Sequence, residues 1–301
     1  MTTTLAGRAR TLAPAAALVS VTAIWGSTFV VIKGVTETIP VTDFLAVRFT
    51  IAAVGLWLLA PRSVARLTPD VRRKAVVLGL AYGAAQLLQT TGLTLVSASV
   101  SGFLTGLYVV ITPVIAALLL RESVARATWL AVGLATAGLA VLSLNGFALG
   151  LGEVLTALGA VGYALHIVLL GAWSKPGQAV GLAVVQMAVI AVLCGVAAVP
   201  GGIVLPATGT QWLAMIYVAL AAGALAMVAQ TWAQARLPAT RAAIIMTTEP
   251  VFAAFFGVVV DDDPVTPRFV LGAALVLAAM YTAELGPRRA REGKVVHLPG
   301  E

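Results

Sequence analysis

Ten apolar runs follow one another through this chain, at roughly 14–35, 41–60, 75–93, 98–120, 126–144, 152–172, 178–199, 211–234, 241–260 and 266–285. Each is close to the length, about 20 residues, that carries a helix across a bilayer core. Backbone polar groups in hydrocarbon have no water to bond, and a helix pairs them within its own segment. The expected fold is therefore all-α and integral to a membrane, with ten transmembrane helices. Once the runs are read as crossings, sixteen of the nineteen Lys and Arg residues fall on one side. These are Arg8, Arg10, the five between Arg62 and Lys74, Arg121, Arg126, Lys175, Arg236, Arg241, and the four between Arg288 and Lys294. The other side keeps Lys33, Arg48 and Arg268, and it carries the acidic run Asp261-Asp262-Asp263. Basic loops stay in the cytoplasm, so both termini are expected there. One span more or fewer would scramble this asymmetry.

Composition excludes the main alternatives. Charged residues make up only 10% of the chain, against roughly 25% in soluble domains. The net charge of +7 is then a topology signal and an attraction to anionic lipid headgroups. A nucleic-acid partner is not expected, because the basic residues are spread thinly over short loops. Cys194 is the single cysteine, which leaves no internal disulfide or thiolate metal site; it reads as a small buried hydrophobe. No phosphate-loop pattern is present, and His166 and His297 cannot form metalloprotease spacing. The longest internal connection, Pro61 to Lys74, has 14 residues, too few for an ATP-binding domain. No cofactor is expected, and any uphill work must come from a gradient. Arg8 and Arg10 ahead of an apolar stretch resemble a signal peptide. The stretch continues to Ile32, and removing it would spoil the charge pattern, so it reads as the first membrane helix. Residues 286–301 read as a basic cytoplasmic tail, with His297 incidental.

The chain also repeats itself. Gln89-Thr90 followed by Ser97-Ala98-Ser99 matches Gln230-Thr231 followed by Pro238-Ala239-Thr240 at an offset of 141. Thr112-Pro113-Val114 matches Glu249-Pro250-Val251 at offset 137, and Gly133 matches Gly272 at offset 139. The two units, 14–144 and 152–285, hold five spans each, an odd number. The second therefore enters the membrane from the opposite side. Inverted repeats of this kind underlie alternating access, with the substrate site between the halves near the midplane.

Particular motifs carry a resemblance to a known family. Trp25-Gly26-Ser27-Thr28-Phe29 with Lys33, then Arg48, resembles the opening of the EamA family in the drug/metabolite transporter superfamily. Ala85-Gln86-Leu87-Leu88-Gln89-Thr90-Thr91-Gly92-Leu93 and Ile111-Thr112-Pro113 are similar to the same family. So are Gln230-Thr231-Trp232-Ala233-Gln234, Ala239-Thr240-Arg241-Ala242-Ala243 and Glu249-Pro250-Val251-Phe252. The resemblance spans about residues 15–285. It implies a ten-helix transporter of two inverted repeats, usually exporting metabolites or amino acids, or taking them up. Two departures stand out. Asp261-Asp262-Asp263 replaces the acidic residue that usually follows the ninth helix, and the fourth helix ends early, at Arg121-Glu122.

Polar groups inside a membrane usually face a cavity or a partner, because charge there is costly. Glu249 lies about eight residues into the ninth span, a depth that makes it a candidate proton carrier. The alternative is a structural carboxyl bonded to backbone opened by Pro250. His166, on a helix with Tyr163, reads as a substrate or proton ligand, or as a neutral histidine bonded to a neighbouring helix. Trp57, Trp129, Trp173, Trp212 and Trp232 lie near span ends, as an interfacial belt requires. Trp25 alone is mid-span, either a cavity wall or packed on a neighbour's small residues. Gln89 and Gln230 are repeat-related amides, joined at depth by Gln86 and Gln186; they line a path or glue helices together. Lys33 and Arg48 read mainly as snorkelling to the headgroups, with attraction of an anionic group as the alternative. Gly79/Gly83 and Gly102/Gly106 have the spacing of close helix packing. Pro113 and Pro250 are expected as matched kinks, for gating or for cavity shape.

The expected function is a secondary carrier of small metabolites, amino acids or drugs in a bacterial cytoplasmic membrane. Export is the expected direction, from the resemblance. Trp25 and Tyr108 would be apolar walls, with polar handles from Thr28, Gln89, His166, Gln230 and Glu249. The partners expected are a small-molecule substrate and the bilayer, with a second copy of the chain left open. Uptake and uniport are rival readings on the same fold; a lipid-processing enzyme and a non-transporting scaffold are rivals from other classes.

Overall fold

The computed structural model describes residues 2–120, 126–143, 150–246 and 248–285. Arg121-Glu122 and the tail 286–301 lie outside the described residues. What is described is helical: α1 (Thr2–Thr36), α2 (Val41–Leu59), α3 (Pro69–Leu93), α4 (Ala98–Thr105), α5 (Tyr108–Leu120), α6 (Arg126–Ser143), α7 (Leu151–Trp173), α8 (Ala179–Ala198), α9 (Gly209–Tyr217), α10 (Ala226–Gln234), α11 (Ala239–Ile245), α12 (Thr248–Val260) and α13 (Pro267–Leu285). Among the described residues, eight helical stretches are long and apolar enough to cross a membrane. The chain is a multi-pass membrane protein. Its outer surface fits that solvent: Leu58, Leu59, Leu118, Leu213 and Phe255 are all exposed, a coat that water would penalise and lipid does not.

Local chemistry explains where the helices begin. Thr68 Oγ1 accepts from Val71 N at 3.4 Å, Pro69 takes the first helical position and Asp70 stands in the first turn. Proline costs nothing there, since that N–H would be unpaired anyway. Helix α3 therefore starts six residues before the apolar run at 75, and Arg72 and Arg73 are exposed within its first turns. A reciprocal cap between Thr208 and Gln211 starts α9.

Three of the apolar runs are not single helices. The run at 98–120 breaks at Gly106-Leu107 between α4 and α5. The run at 241–260 breaks between α11 and α12. Between α9 and α10, residues Val218–Leu225 wind as a π-helix. The proline expectation is corrected by these breaks. Pro250 is not a mid-helix kink; it lies in the first turn of the fresh helix α12, where a missing N–H is harmless. Pro113 is inside α5, five residues beyond its start. The two prolines match in sequence and differ in setting.

Close packing follows the glycines. A Cβ on Gly79 would stand 2.8 Å from Val189 Cβ, and one on Gly83 would stand 2.9 Å from Leu193 Cδ2, so α3 lies directly on α8. Gly26 and Gly102 face Phe252 and Ala253 of α12 in the same way. Gly106 is different: it sits in the α4–α5 turn. Helix α6 packs along α13, and Arg268 Nε at the start of α13 donates to Val141 O.

With the Arg268–Val141 bond, four further polar contacts gather at one end of the bundle, the end opposite the basic loops. Lys33 pairs with Asp261 at 2.7 Å. Asp263 Oδ2 accepts from Ser99 N at 2.9 Å, and Asp43 Oδ2 accepts from Val204 N at 2.9 Å. Gln211 Nε2 donates to Thr38 Oγ1 at 2.9 Å. Each joins a residue before position 144 to one after 150. Lys33 is thus engaged by a carboxylate of the acidic run rather than released to the headgroups.

Candidate functional site

A cavity of about 510 Å³, its mouth included, lies among α1, α2, α3, the α4–α5 break, α7, α10 and the α11–α12 break. All seven side chains expected to meet substrate line it: Trp25, Thr28, Gln89, Tyr108, His166, Gln230 and Glu249. Pro113 and Pro250 do not. Ala13–Thr36 places Trp25 near the middle of the first span, and residues 18, 21, 25, 29, 32 and 35 form its buried stripe.

The helix breaks supply much of the site's polarity. Trp25 Nε1 donates to Ala222 O at 2.9 Å, within the π-helical segment. π turns leave the regular backbone ladder and recur at functional sites. At the α11–α12 break, Met246 O accepts from Glu249 N at 3.0 Å and from the Tyr108 hydroxyl at 2.8 Å. Tyr108 lies as close to Glu249 Oε2, 3.0 Å. A phenol has one proton to give. With Glu249 ionised, that proton serves the carboxylate or Met246 O, not both. With Glu249 protonated, the carboxyl donates to Tyr108 and Tyr108 donates to Met246, and both contacts are filled. Glu249 is thus held by a hydroxyl from the other half of the chain, where a bond to the backbone around Pro250 was the structural alternative.

His166 has both of the settings expected for it. Its Nε2–H donates to Gln186 Oε1 of α8 at 2.7 Å. Gln186 spends its own amide N–H on Leu182 O at 3.1 Å, which leaves its oxygen to accept and places a proton on Nε2. The imidazole also lines the cavity, with its ring 5.0 Å from that of Tyr82. Tyr82 stacks edge-on with Tyr163 at 5.4 Å, and the Tyr163 hydroxyl reaches Gln89 Oε1 at 3.4 Å. Gln230 Nε2 donates to Gln234 Oε1 at 3.0 Å, and Gln234 Nε2 donates to Ile167 O at 3.0 Å.

Several cavity residues were not foreseen as such, Arg48 and Tyr82 among them. Arg48 was expected to snorkel; it is 2% exposed. Its guanidinium lies 4.8 Å over the Phe49 ring, and Nη1 donates to Gln86 Oε1 at 3.2 Å. The burial follows from phase: Phe44, Arg48 and Ala52 are spaced by one helical turn and share a face of α2 turned inward. Tyr82 follows the same logic on α3, one turn before Gln86. Among the described residues, three side-chain atoms around the cavity are buried with no hydrogen-bond partner: Arg48 Nε, Thr105 Oγ1 and Gln230 Oε1.

Comparison with known proteins places this architecture. A chain from Archaeoglobus fulgidus described as an uncharacterized transporter is 30% identical over 273 residues, covering 89% of this chain and 84% of that one. A protein of known crystal structure, 20% identical, superposes with a TM-score of 0.67 over 94% of this chain and 98% of its own, and so has the same fold. The profile of the EamA-like transporter family matches twice, at residues 13–144 and 150–283. Since those two matches take in nearly all of the described helices, this chain belongs to the EamA-like transporter family.

Proposed function

We propose that this protein is a secondary carrier that exports small metabolites, amino acids or drugs by alternating access. Its working unit would be ten spans in two inverted halves, 14–144 and 152–285, in a bacterial cytoplasmic membrane with both termini in the cytoplasm. The observation that carries the proposal is the cavity between the halves, with three buried polar atoms left unfilled. A buried polar group without a partner costs about 1–3 kcal/mol. Three of the seven such atoms among the described residues stand around this one space, which suits it to a polar guest.

Helix pairing supports the inverted repeat. If each element of the first half is exchanged for its counterpart in the second, α3 on α7 becomes α10 on α1, and α1 on α12 becomes α7 on α5; all four contacts occur. The pairs α2 with α8 and α6 with α13 map onto themselves, α4 on α12 becomes α11 on α5, and all of these are in contact. In this reading α6 and α13 supply the last two spans. The sixteen-to-three division of basic residues favours cytoplasmic termini, and the resemblance favours export over uptake.

Proton coupling through Glu249 is the mechanism to test first. A protonated Glu249 completes the Tyr108–Met246 chain, and deprotonation breaks one of its links. Substrate and proton could thus alternate at one site. The test compares, by untargeted mass spectrometry, the medium and cytosol of cells expressing the native protein, Glu249→Gln or an empty vector. Enrichment outside with the native protein alone identifies the cargo and implicates Glu249. Equal enrichment by both keeps export and removes Glu249. Enrichment inside reverses the direction, and no difference from the empty vector counts against the carrier.

A further inference from the structure

One charge in the cavity has no counter-charge. Arg48 lines it, almost wholly buried, and its bonded partner is a neutral amide, Gln86 Oε1 at 3.2 Å. Gln86 is itself held, since its Nε2 donates to the Tyr82 hydroxyl at 3.2 Å. The phenyl faces of Phe49 and Phe44, at 4.8 and 6.0 Å, support the cation from other directions. Nε has no partner among the described residues. Because Gln86 takes Nη1, the Nε side of the fork remains open, and a planar carboxylate is gripped from that side by two parallel bonds.

Glu249 lines the same cavity and could have neutralised Arg48. It does not: its oxygen meets Tyr108, and no ion pair joins it to Arg48 among the described residues. A buried cation whose support is aromatic faces and one amide is costly unless an anion arrives. The walls beside it are aromatic and aliphatic, including Trp25, Phe29, Tyr82 and Ile167. They suit a carbon skeleton better than a bare inorganic ion.

We propose that Arg48 is the receptor for a carboxylate on the cargo, so that the molecule carried is a small organic acid whose apolar body lies against the aromatic walls. This rests on the carrier reading above and names its substrate class. Arg48 would bind the carboxylate directly; Gln86 and Tyr82 would be positioning residues that aim the fork.

The test pairs acids with their uncharged amides. Purified full-length protein is melted with 3-phenylpropionate, 4-methylpentanoate, their amides and inorganic phosphate, each at millimolar concentration. The acids are expected to raise Tm by several degrees more than the amides do. Arg48→Gln should abolish that difference, and Arg48→Lys should keep part of it. Without ligand, Arg48→Gln should melt no lower than the native protein, because it removes an unpaired buried charge. No acid-over-amide difference overturns the proposal, as does an acid preference that survives in Arg48→Gln. Phosphate matching the acids overturns it too, and so does a large drop in the ligand-free Tm of Arg48→Gln, which would make Arg48 structural. The export experiment above separates the two readings. Acid preference without any exported compound would sink the carrier and keep the receptor, whereas export without acid preference would do the reverse.

Discussion

Single side chains decide what the cavity can do, and their partners decide how each will respond to change. The Tyr108 hydroxyl ties Met246 O and Glu249 to the opposite half of the chain. Tyr108→Phe removes both contacts while keeping the ring. It is expected to lower stability by about 1–2 kcal/mol and, if Glu249 carries the proton, to weaken pH-driven flux in vesicles as Glu249→Gln does. Flux unaffected by either change would remove the pair from the mechanism. Trp25→Phe likewise keeps an aromatic wall but loses the bond to Ala222 O. An interhelical hydrogen bond in a membrane is worth about 0.6 kcal/mol on average. A small fall in Tm with a larger change in cargo affinity would mark Trp25 as a wall rather than a brace. The sequence made these residues findable because each is polar or bulky at mid-span. Arg48 was harder to place. Seven residues into α2 it can be reached by headgroups, and only the phase it shares with Phe44 and Ala52 shows that it points inward.

At the scale of helices, glycine positions separate contact from open space. A valine at Gly79 would drive its Cβ into Val189, and one at Gly102 would collide with Ala253. Each is expected to cost about 1–3 kcal/mol, the usual penalty of overpacking. Gly34 has no atom within 4 Å of its missing Cβ. Gly34→Ala should leave stability unchanged or raise it, by up to about 1 kcal/mol of helix propensity. Melting curves of the three variants check this directly. The apolar runs located nearly all of these helices, since length and hydrophobicity are what a bilayer selects. Hydropathy does not register where a rod is broken. Gly106-Leu107, the start of α12 beside Pro250, and the small-residue stretch from Ala219 to Ala224 are as apolar as their neighbours. At two of them the backbone carbonyls of Met246 and Ala222 accept from Tyr108 and Trp25 of the other half.

The whole molecule is divided by its polar contacts. At the end opposite the basic loops, one ion pair and four hydrogen bonds join the two halves among the described residues. At the basic end, Arg72 bonds Val64 O and Ala65 O, Lys74 pairs with Asp70 and Arg236 bonds Trp232 O, each within its own neighbourhood. For a carrier that alternates between sides, the joined end must part for cargo to leave. Oxidising a Lys33→Cys/Asp261→Cys pair should therefore stop transport, and reduction should restore it; turnover that continues through a closed disulfide would show that this end does not open. The orientation itself is checked with single cysteines at Arg62 and Thr208. An impermeant maleimide added to intact cells should label the second and spare the first.

The Lys33–Asp261 pair has a consequence beyond the fold. Both side chains are about a quarter exposed, so in the proposed orientation dissolved ions would reach the pair from one compartment only. The Debye length falls from about 10 Å at 0.1 M to about 3 Å at 1 M salt. Concentrated salt on that side alone would loosen this closure, while the same salt across the bilayer would leave it untouched. Osmotically balanced vesicles with salt on one side or the other would then turn over at different rates, and, in the proposed orientation, salinity outside the cell would act as a throttle on the carrier.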